Sequence, residues 1–146
     1  MAEISAVYTL TTPGVDVTFN SGTDVYRISN VEGLDQAPIR APVDDAPQTD
    51  GGIVHDFYYG ARYVTVEGLL LPGDGAASTR NTMEASLISA LEAILRADGS
   101  LAWTPSGQSA RSLTVRCFQP ARFGPWQGFP HYKTFIFGLV AADPTW

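Results

Sequence analysis

The chain has 146 residues and a mass of 15.7 kDa, which fits one domain, and 45% of its residues are hydrophobic, enough to build a core. Nine Lys and Arg stand against fifteen Asp and Glu, a net charge of -6, and this balance argues against a nucleic-acid-binding surface, which needs clustered basic side chains. Cys117 is the single cysteine, which excludes an internal disulfide and a cluster of thiolates around a metal.

The N-terminal part of the chain predicts a meander of short strands. Apolar residues alternate with their neighbours over Ile4–Leu10, Val15–Phe19 and Val25–Val31, and a period of two is the spacing of a strand with one buried face. Turn-forming residues at Pro13-Gly14 and Ser21-Gly22 separate the three segments.

The alternation ends between Glu32 and Gly52. This stretch contains three prolines, three glycines and four aspartates, and it is longer than an ordinary connection of up to about 12–15 residues. Two interpretations stay open. We favour a projecting arm that becomes ordered against a partner, and the alternative is a mobile surface loop.

The middle of the chain predicts one long strand followed by one helix. Arg62–Leu71 alternates apolar and polar side chains. Apolar residues then recur at three- and four-residue intervals, which predicts an amphipathic helix over about residues 79–97, capped by Ser78 or Thr79. The predicted buried face of this helix consists of Met83, Leu87, Ala90, Leu91, Ile94 and Leu95.

Three more strands are predicted at the C-terminal end, at Leu101–Trp103, Arg111–Phe118 and Tyr132–Ala142. The last of them is apolar on both faces, which indicates a strand that is central in its sheet or lies at a subunit contact. Together the elements predict a mainly β fold with one helix, a β-sandwich or barrel-like domain with a long projecting arm.

The turn Gly73–Ser78 reads G-x-G-x-x-S between a strand and a helix, the position of a dinucleotide-binding turn. The strand before it alternates polar and apolar residues, whereas the parallel strand of such a fold is apolar throughout. Asp74 also places a carboxylate where a phosphate would bind. We therefore interpret the segment as a plain loop leading into a helix, and a nucleotide-binding enzyme is the weaker alternative.

No other group of residues predicts catalysis or metal binding. His55 and His131 are the only histidines, and a metal site needs three or four ligands. Ser109 lacks the second glycine of a nucleophile elbow, and Cys117 falls on the apolar face of its strand as a small core residue. We predict no catalytic residue, no cofactor and no metal site.

The aromatic residues support a second functional hypothesis, a monomeric β-sandwich carbohydrate-binding module. Aromatic side chains more commonly serve core or interface packing, and the loop around Trp126 suits an interface anchor as well as a sugar platform. The aromatic residues in question are Phe57, Tyr58, Tyr59, Trp103, Phe123, Trp126 and Trp146.

An ordered set of short motifs runs through most of the chain. In chain order they are Asp50-Gly51-Gly52, Tyr59-Gly60-Ala61-Arg62, Val64–Gly68, Gly99–Trp103 (Gly-x-Leu-x-Trp), Arg111–Arg116 (Arg-x-Leu-x-Val-Arg) and Phe135–Pro144. Over about residues 25–146 the chain resembles the N-terminal domain of the distal tail protein of long-tailed, non-contractile phages.

The resemblance implies a domain related to the tail-tube subunit and a homo-oligomeric ring of six copies at the distal end of the tail tube. Such a ring joins the tail-tube protein to the hub or tip protein and leaves a channel through which DNA passes without specific binding. It implies a location in the virion. No apolar stretch approaches the ~20 residues of a membrane span and Met1-Ala2-Glu3 lacks signal-peptide features, so we expect synthesis in the host cytoplasm and no membrane partner.

The resemblance also implies that the arm, at about residues 32–52, embraces the neighbouring subunit. Many family members carry a C-terminal carbohydrate-binding domain, and we expect this chain to be a single domain over residues 1–146 without one. The predicted subunit-contact residues are Leu34, Pro38, Ile39, Pro42, Val43, Tyr59, Arg62 and Trp126.

Overall fold

A computed structural model describes residues 6–34, 39–40, 43–45, 52–54, 58–124 and 133–143, and between residues 39 and 59 it describes the backbone alone. The elements are β1 (Tyr8–Thr11), β2 (Val17–Phe19), β3 (Val25–Glu32), β4 (Ile39–Arg40), β5 (Val43–Asp45), β6 (Gly52–Val54), β7 (Tyr58–Tyr59), β8 (Arg62–Leu71), α1 (Ala77–Ala93), β9 (Gly99–Trp103), β10 (Arg111–Phe123) and β11 (Lys133–Ala141).

Seven strands form a closed barrel in the order β1-β2-β3-β8-β11-β10-β9, and β9 pairs back with β1. Every strand pair in the barrel is antiparallel except β2 with β3, which pair in parallel at Phe19 and Tyr26. The predicted mainly β fold with one helix is therefore confirmed over the described residues, and its architecture is a closed barrel.

Asn20 lies in the connection between the parallel strands β2 and β3, and it has a φ of 63°. Its side-chain amide donates to the carbonyl of Ala6 (2.8 Å) and accepts from the backbone N–H of Ile28 (2.9 Å). Asparagine tolerates the left-handed backbone region better than most residues. One side chain thus links the segment before β1 to β3.

The barrel interior follows the alternation that the sequence predicts, because side chains along a strand point alternately to the two faces of the sheet. Two predicted strands depart from this pattern. Val15 precedes β2 and is exposed, and in β3 a register shift after Ile28 places Val31 inward, three residues after Ile28. The largest fully buried side chains are Tyr8, Leu10, Phe19, Val64, Leu70, Leu87, Ile94, Leu101, Leu113, Val115, Phe137 and Leu139.

The apolar strand β11 lies between β8 and β10. Its inward side chains Phe135, Phe137 and Leu139 are buried, whereas Ile136 and Val140 on the outer face are partly exposed. The strand is therefore central in the barrel wall, and its outer face still presents apolar surface.

Helix α1 packs against β2, β8 and β10 and begins and ends earlier than the predicted span of residues 79–97. Five of the six residues of its predicted buried face are buried, and the exception is Leu95, which lies beyond the last helical turn and is 52% exposed. Arg80 is buried although its charge predicts an exposed position. A buried hydrogen bond from the Tyr26 hydroxyl on β3 to the Met83 carbonyl (2.8 Å) also holds the helix to the barrel.

Candidate subunit interface

The segment predicted as a projecting arm contains two short antiparallel strand pairs, β4 with β7 and β5 with β6, which we together call the ribbon. Ile39 pairs with Tyr59, and Asp45 pairs with Gly52. These pairs are nested inside the pairing of Glu32 with Thr65, the last pair of β3 with β8. Both pairs therefore lie between β3 and β8 in the chain, and the second strand of the outer pairing, β7, lies past the predicted boundary at residue 52.

The base of the ribbon is held by Arg62 and Gly33. Arg62 is 3% exposed, and its guanidinium donates a hydrogen bond to the Gly33 carbonyl (3.0 Å). Gly33 has a φ of +93°, and a Cβ there would overlap the carbonyl oxygen of Tyr63. Leu34 is buried in the core directly after this turn. The exit of the arm is thus fixed to the barrel by packing and by a buried hydrogen bond.

We expect Gly33→Ala to lower the free energy of unfolding by more than Gly107→Ala. Both glycines have positive φ, +93° and +73°, but nothing lies within 4 Å of a Cβ at Gly107. Gly107→Ala therefore costs about 1 kcal/mol of backbone strain, and Gly33→Ala adds a steric overlap with a strand backbone. Urea denaturation of both variants measures the difference, and equal costs would contradict this account of the arm base.

The outer face of the barrel carries an exposed aromatic pair beside the arm base. The ring of Tyr63 on β8 contacts the ring of Phe118 on β10, with centroids 5.0 Å apart at 67°. Phe118 lies at an irregularity in the pairing of β10 with β11, and it packs beside Gly138 of β11 together with Gln119. Tyr63 and Phe118 are 54% and 61% exposed, so the pair is a candidate contact surface.

The predicted subunit-contact residues fall into three groups. Leu34 and Arg62 are described in full, and both are buried within their own chain, so any effect on a neighbour passes through the arm that they hold. Ile39, Val43 and Tyr59 lie on ribbon strands β4, β5 and β7. The others, Pro38, Pro42 and Trp126, lie outside the described residues.

The sequence analysis missed Gly33, Phe118 and Gly138. A glycine directly after a strand is a signal for a left-handed turn, and it was available at Gly33. The contact of Phe118 with Gly138 depends on the irregular pairing of two strands, for which a single sequence carries no signal.

The turn Gly73–Ser78 is a plain loop, as predicted, but its predicted cap is wrong. Helix α1 begins at Ala77 without a side-chain cap, so Ser78 and Thr79 lie inside its first turn. The carboxylate of Asp74 accepts hydrogen bonds from the Ala76 N–H (2.9 Å) and the Thr79 hydroxyl (2.8 Å), and these bonds lower the pKa of that carboxyl. A negative charge that belongs to the protein thus lies next to the helix N-terminus, where a bound phosphate would have to be.

The described residues include two of the groups considered above as chemical candidates, the cysteine and the acidic side chains. Cys117 is buried, and desolvation raises the pKa of its thiol, so it is not an activated nucleophile. No three His, Cys, Asp or Glu side chains of the described ranges are close enough to hold a metal ion. In the same ranges, no helix has the length and apolar character needed to cross a membrane.

One of the aromatic residues proposed for a sugar-binding surface is not on the surface. Trp103 is buried and stacks on Tyr8 inside the barrel, with centroids 6.1 Å apart. Phe123 is half-buried, the side chains of Tyr58 and Tyr59 are not described, and Phe57, Trp126 and Trp146 lie outside the described residues.

The fold is a closed seven-stranded barrel with one packed helix, and the arm strands lie between barrel strands β3 and β8 in the chain. No protein-family model matches the sequence, and no curated protein matches it. Among solved structures, the chain is similar to the SPP1 Dit (gp 19.1) protein, described as a paradigm of the hub adsorption apparatus in phages that infect Gram-positive bacteria.

That similarity has a TM-score of 0.63 at 20% sequence identity and covers 94% of this chain and 51% of the SPP1 protein. The chain thus spans about half the length of that protein. The resemblance to distal tail proteins is confirmed at the level of the fold.

Proposed function

We propose that the chain is a structural component of a phage tail, a distal tail protein that assembles into a ring of six copies at the end of the tail tube. The observation that carries this proposal is the fold shared with SPP1 Dit over 94% of the chain. The ring joins the tail-tube protein to the hub or tip protein, leaves a channel for DNA ejection and lies in the virion.

The surface of the subunit supports assembly. The arm strands pair with each other outside the barrel sheet, and a two-stranded ribbon is marginal in water unless something packs against it. The aromatic pair Tyr63 and Phe118 and the outward side chain of Val140, which lies opposite Tyr63 on β11, add apolar surface near the arm base. A neighbouring copy would cover both features, and a head-to-tail contact that closes produces a ring.

The charge of the chain supports passage of DNA without binding. Each copy carries a net charge of -6, and an acidic assembly repels phosphates and offers no counterion release.

The experiment that tests this proposal combines the purified chain with tubes of the tail-tube protein from the same phage. We expect electron micrographs to show a ring coaxial with the tube at one end only, because a distal component has one tube-facing surface. Free tubes in the presence of excess chain would overturn the role at the tube end.

A further inference from the structure

We infer that a groove on the outer face of the barrel binds an extended acidic segment of a different protein, held by Arg27 and Arg122. The segment carries two carboxylates four residues apart and an aliphatic side chain halfway between them. This inference goes beyond the proposed function, because it needs no contact between copies of this chain.

The groove consists of two adjoining depressions with volumes of about 670 and 460 Å³. Ser29 and Leu69 line both of them, so the depressions form one continuous surface. Arg27 lines the first depression, and Arg122 and Ile136 line the second. These residues lie on β3, β8, β11 and β10, which are adjacent in the barrel wall. The groove therefore crosses four strands, with an arginine on each of the outer two.

The pairing of the strands fixes the distance between the two arginines. Arg27 lies opposite Leu69, and Arg122 lies opposite Ile136. Ile136 is in turn paired with Glu67, two residues before Leu69 on β8. The arginines are thus three strand spacings of about 4.8 Å apart, with an offset of two residues of about 3.3 Å each, so their Cα atoms are separated by roughly 16 Å.

The groove collects basic side chains that have no partner within the described part of the chain. Arg27, Arg96 and Arg122 are exposed and form no hydrogen bond and no ion pair with another described residue. Two of these three line the groove. The other described basic side chains each bind a group of their own chain, and they are Arg62, Arg80, Arg111, Arg116 and Lys133.

The chemistry of the lining selects carboxylates that flank an aliphatic group. A guanidinium binds a planar carboxylate through two parallel hydrogen bonds. Between the two arginines, Leu69 and Ile136 on the floor of the groove are half-buried, and covering such surface contributes about 25 cal/mol per Å². Removing water also strengthens the attraction between the charges that remain in the contact.

The charge of the groove differs in sign from that of the rest of the chain. With Arg27 and Arg122 against Glu67, the lining carries +1, so the remainder of a chain of net charge -6 carries -7. A long polyanion such as a nucleic acid would extend onto that acidic remainder and be repelled. A short acidic segment stays within the groove, where the surrounding charges are screened over about 8 Å.

The distance between the arginines sets the spacing of the acids. In an extended segment, side chains one, three and five point to the same side, and four residues span about 13 Å. The flexible arginine side chains cover the remaining few ångströms. No two acidic residues of this sequence are four positions apart. The occupant is therefore a segment of a different protein and not of a second copy.

The test uses a synthetic peptide of sequence Glu-Thr-Val-Thr-Glu with blocked ends, titrated into the isotope-labelled chain. We expect saturable shifts of the backbone amide signals of Leu69 and Ile136 at millimolar peptide, since a short segment loses much of its freedom on binding. The matched control peptide, Glu-Glu-Val-Thr-Thr, has the same composition and charge with adjacent acids, and it should bind several-fold more weakly.

Charge reversal on the protein tests the two arginines. We expect Arg27→Glu and Arg122→Glu each to weaken binding of the first peptide by roughly tenfold, with the circular dichroism spectrum unchanged. Arg96→Glu makes the same change in net charge at an exposed arginine outside the groove, and its affinity should stay within about twofold of the unmodified chain. The double variant Arg27→Glu with Arg122→Glu should instead bind Lys-Thr-Val-Thr-Lys.

Three results would overturn the inference. One is the absence of saturable shifts at Leu69 and Ile136, and another is equal binding of the two glutamate peptides, since charge alone would then explain the contact. The third is tighter binding of a single-stranded oligonucleotide at the same amides, which would assign the groove to nucleic acid. None of these measurements depends on ring assembly, so the proposed function stands or fails separately.

Discussion

Leu91→Asp is expected to leave the chain unfolded at room temperature. Leu91 is 3% exposed on the face of α1 that packs into the barrel core. The substitution forfeits about 1.5–3 kcal/mol of side-chain burial and adds a buried unpaired carboxylate at a cost of several kcal/mol. A domain of this size has roughly 5–15 kcal/mol of stability in total. Loss of the circular dichroism signal and of a cooperative thermal transition measures the effect.

Leu95→Asp is the matched control. It makes the same change four residues later, past the end of α1, at a side chain that is 52% exposed. Its cost should stay near the range of about 0.5 kcal/mol typical of surface substitutions. A folded Leu91→Asp variant of normal stability would mean that α1 does not pack on the barrel as described.

Replacing residues 36–59 with a short Gly-Ser linker is expected to abolish ring assembly and leave the barrel folded. The replacement removes the ribbon and keeps Gly33, Arg62 and the pairing of Glu32 with Thr65. The seven barrel strands and α1 lose no partner among themselves. Light scattering should report a monomer, and thermal denaturation should still be cooperative.

The same linker placed at residues 106–109 is the control for the arm replacement, because these residues form an exposed turn between β9 and β10. That variant should assemble normally. Rings formed by the variant that lacks the arm would show that the arm does not take part in the subunit contact.

The strands and the helix were predictable from the sequence because each depends on the spacing of apolar residues within one short segment. Apolar and polar residues alternate over residues 64–67 of β8 and 113–117 of β10, and the predicted inward residues there, such as Val64 and Leu113, are buried. The buried face of α1 was correct as far as Ile94. The prediction was wrong at Leu95 because the helix ends about one turn earlier than the spacing of apolar residues indicates.

The remaining features depend on contacts that are distant in sequence. Closure of the barrel joins β1 to β9, and the parallel step at Asn20 joins β2 to β3, and neither pairing has a local signal. The burial of Arg62 was also unpredictable, because a charged side chain is buried when the fold supplies an acceptor, here the carbonyl of Gly33.

The central claim, a ring of copies of this chain, is tested most directly by a native mass spectrum of the purified chain over a range of concentrations. The account predicts a species of about 94 kDa, six times 15.7 kDa, with intermediates on the way to a closed ring. A species that remains at 15.7 kDa at every concentration, with and without the tail-tube protein as template, would contradict it.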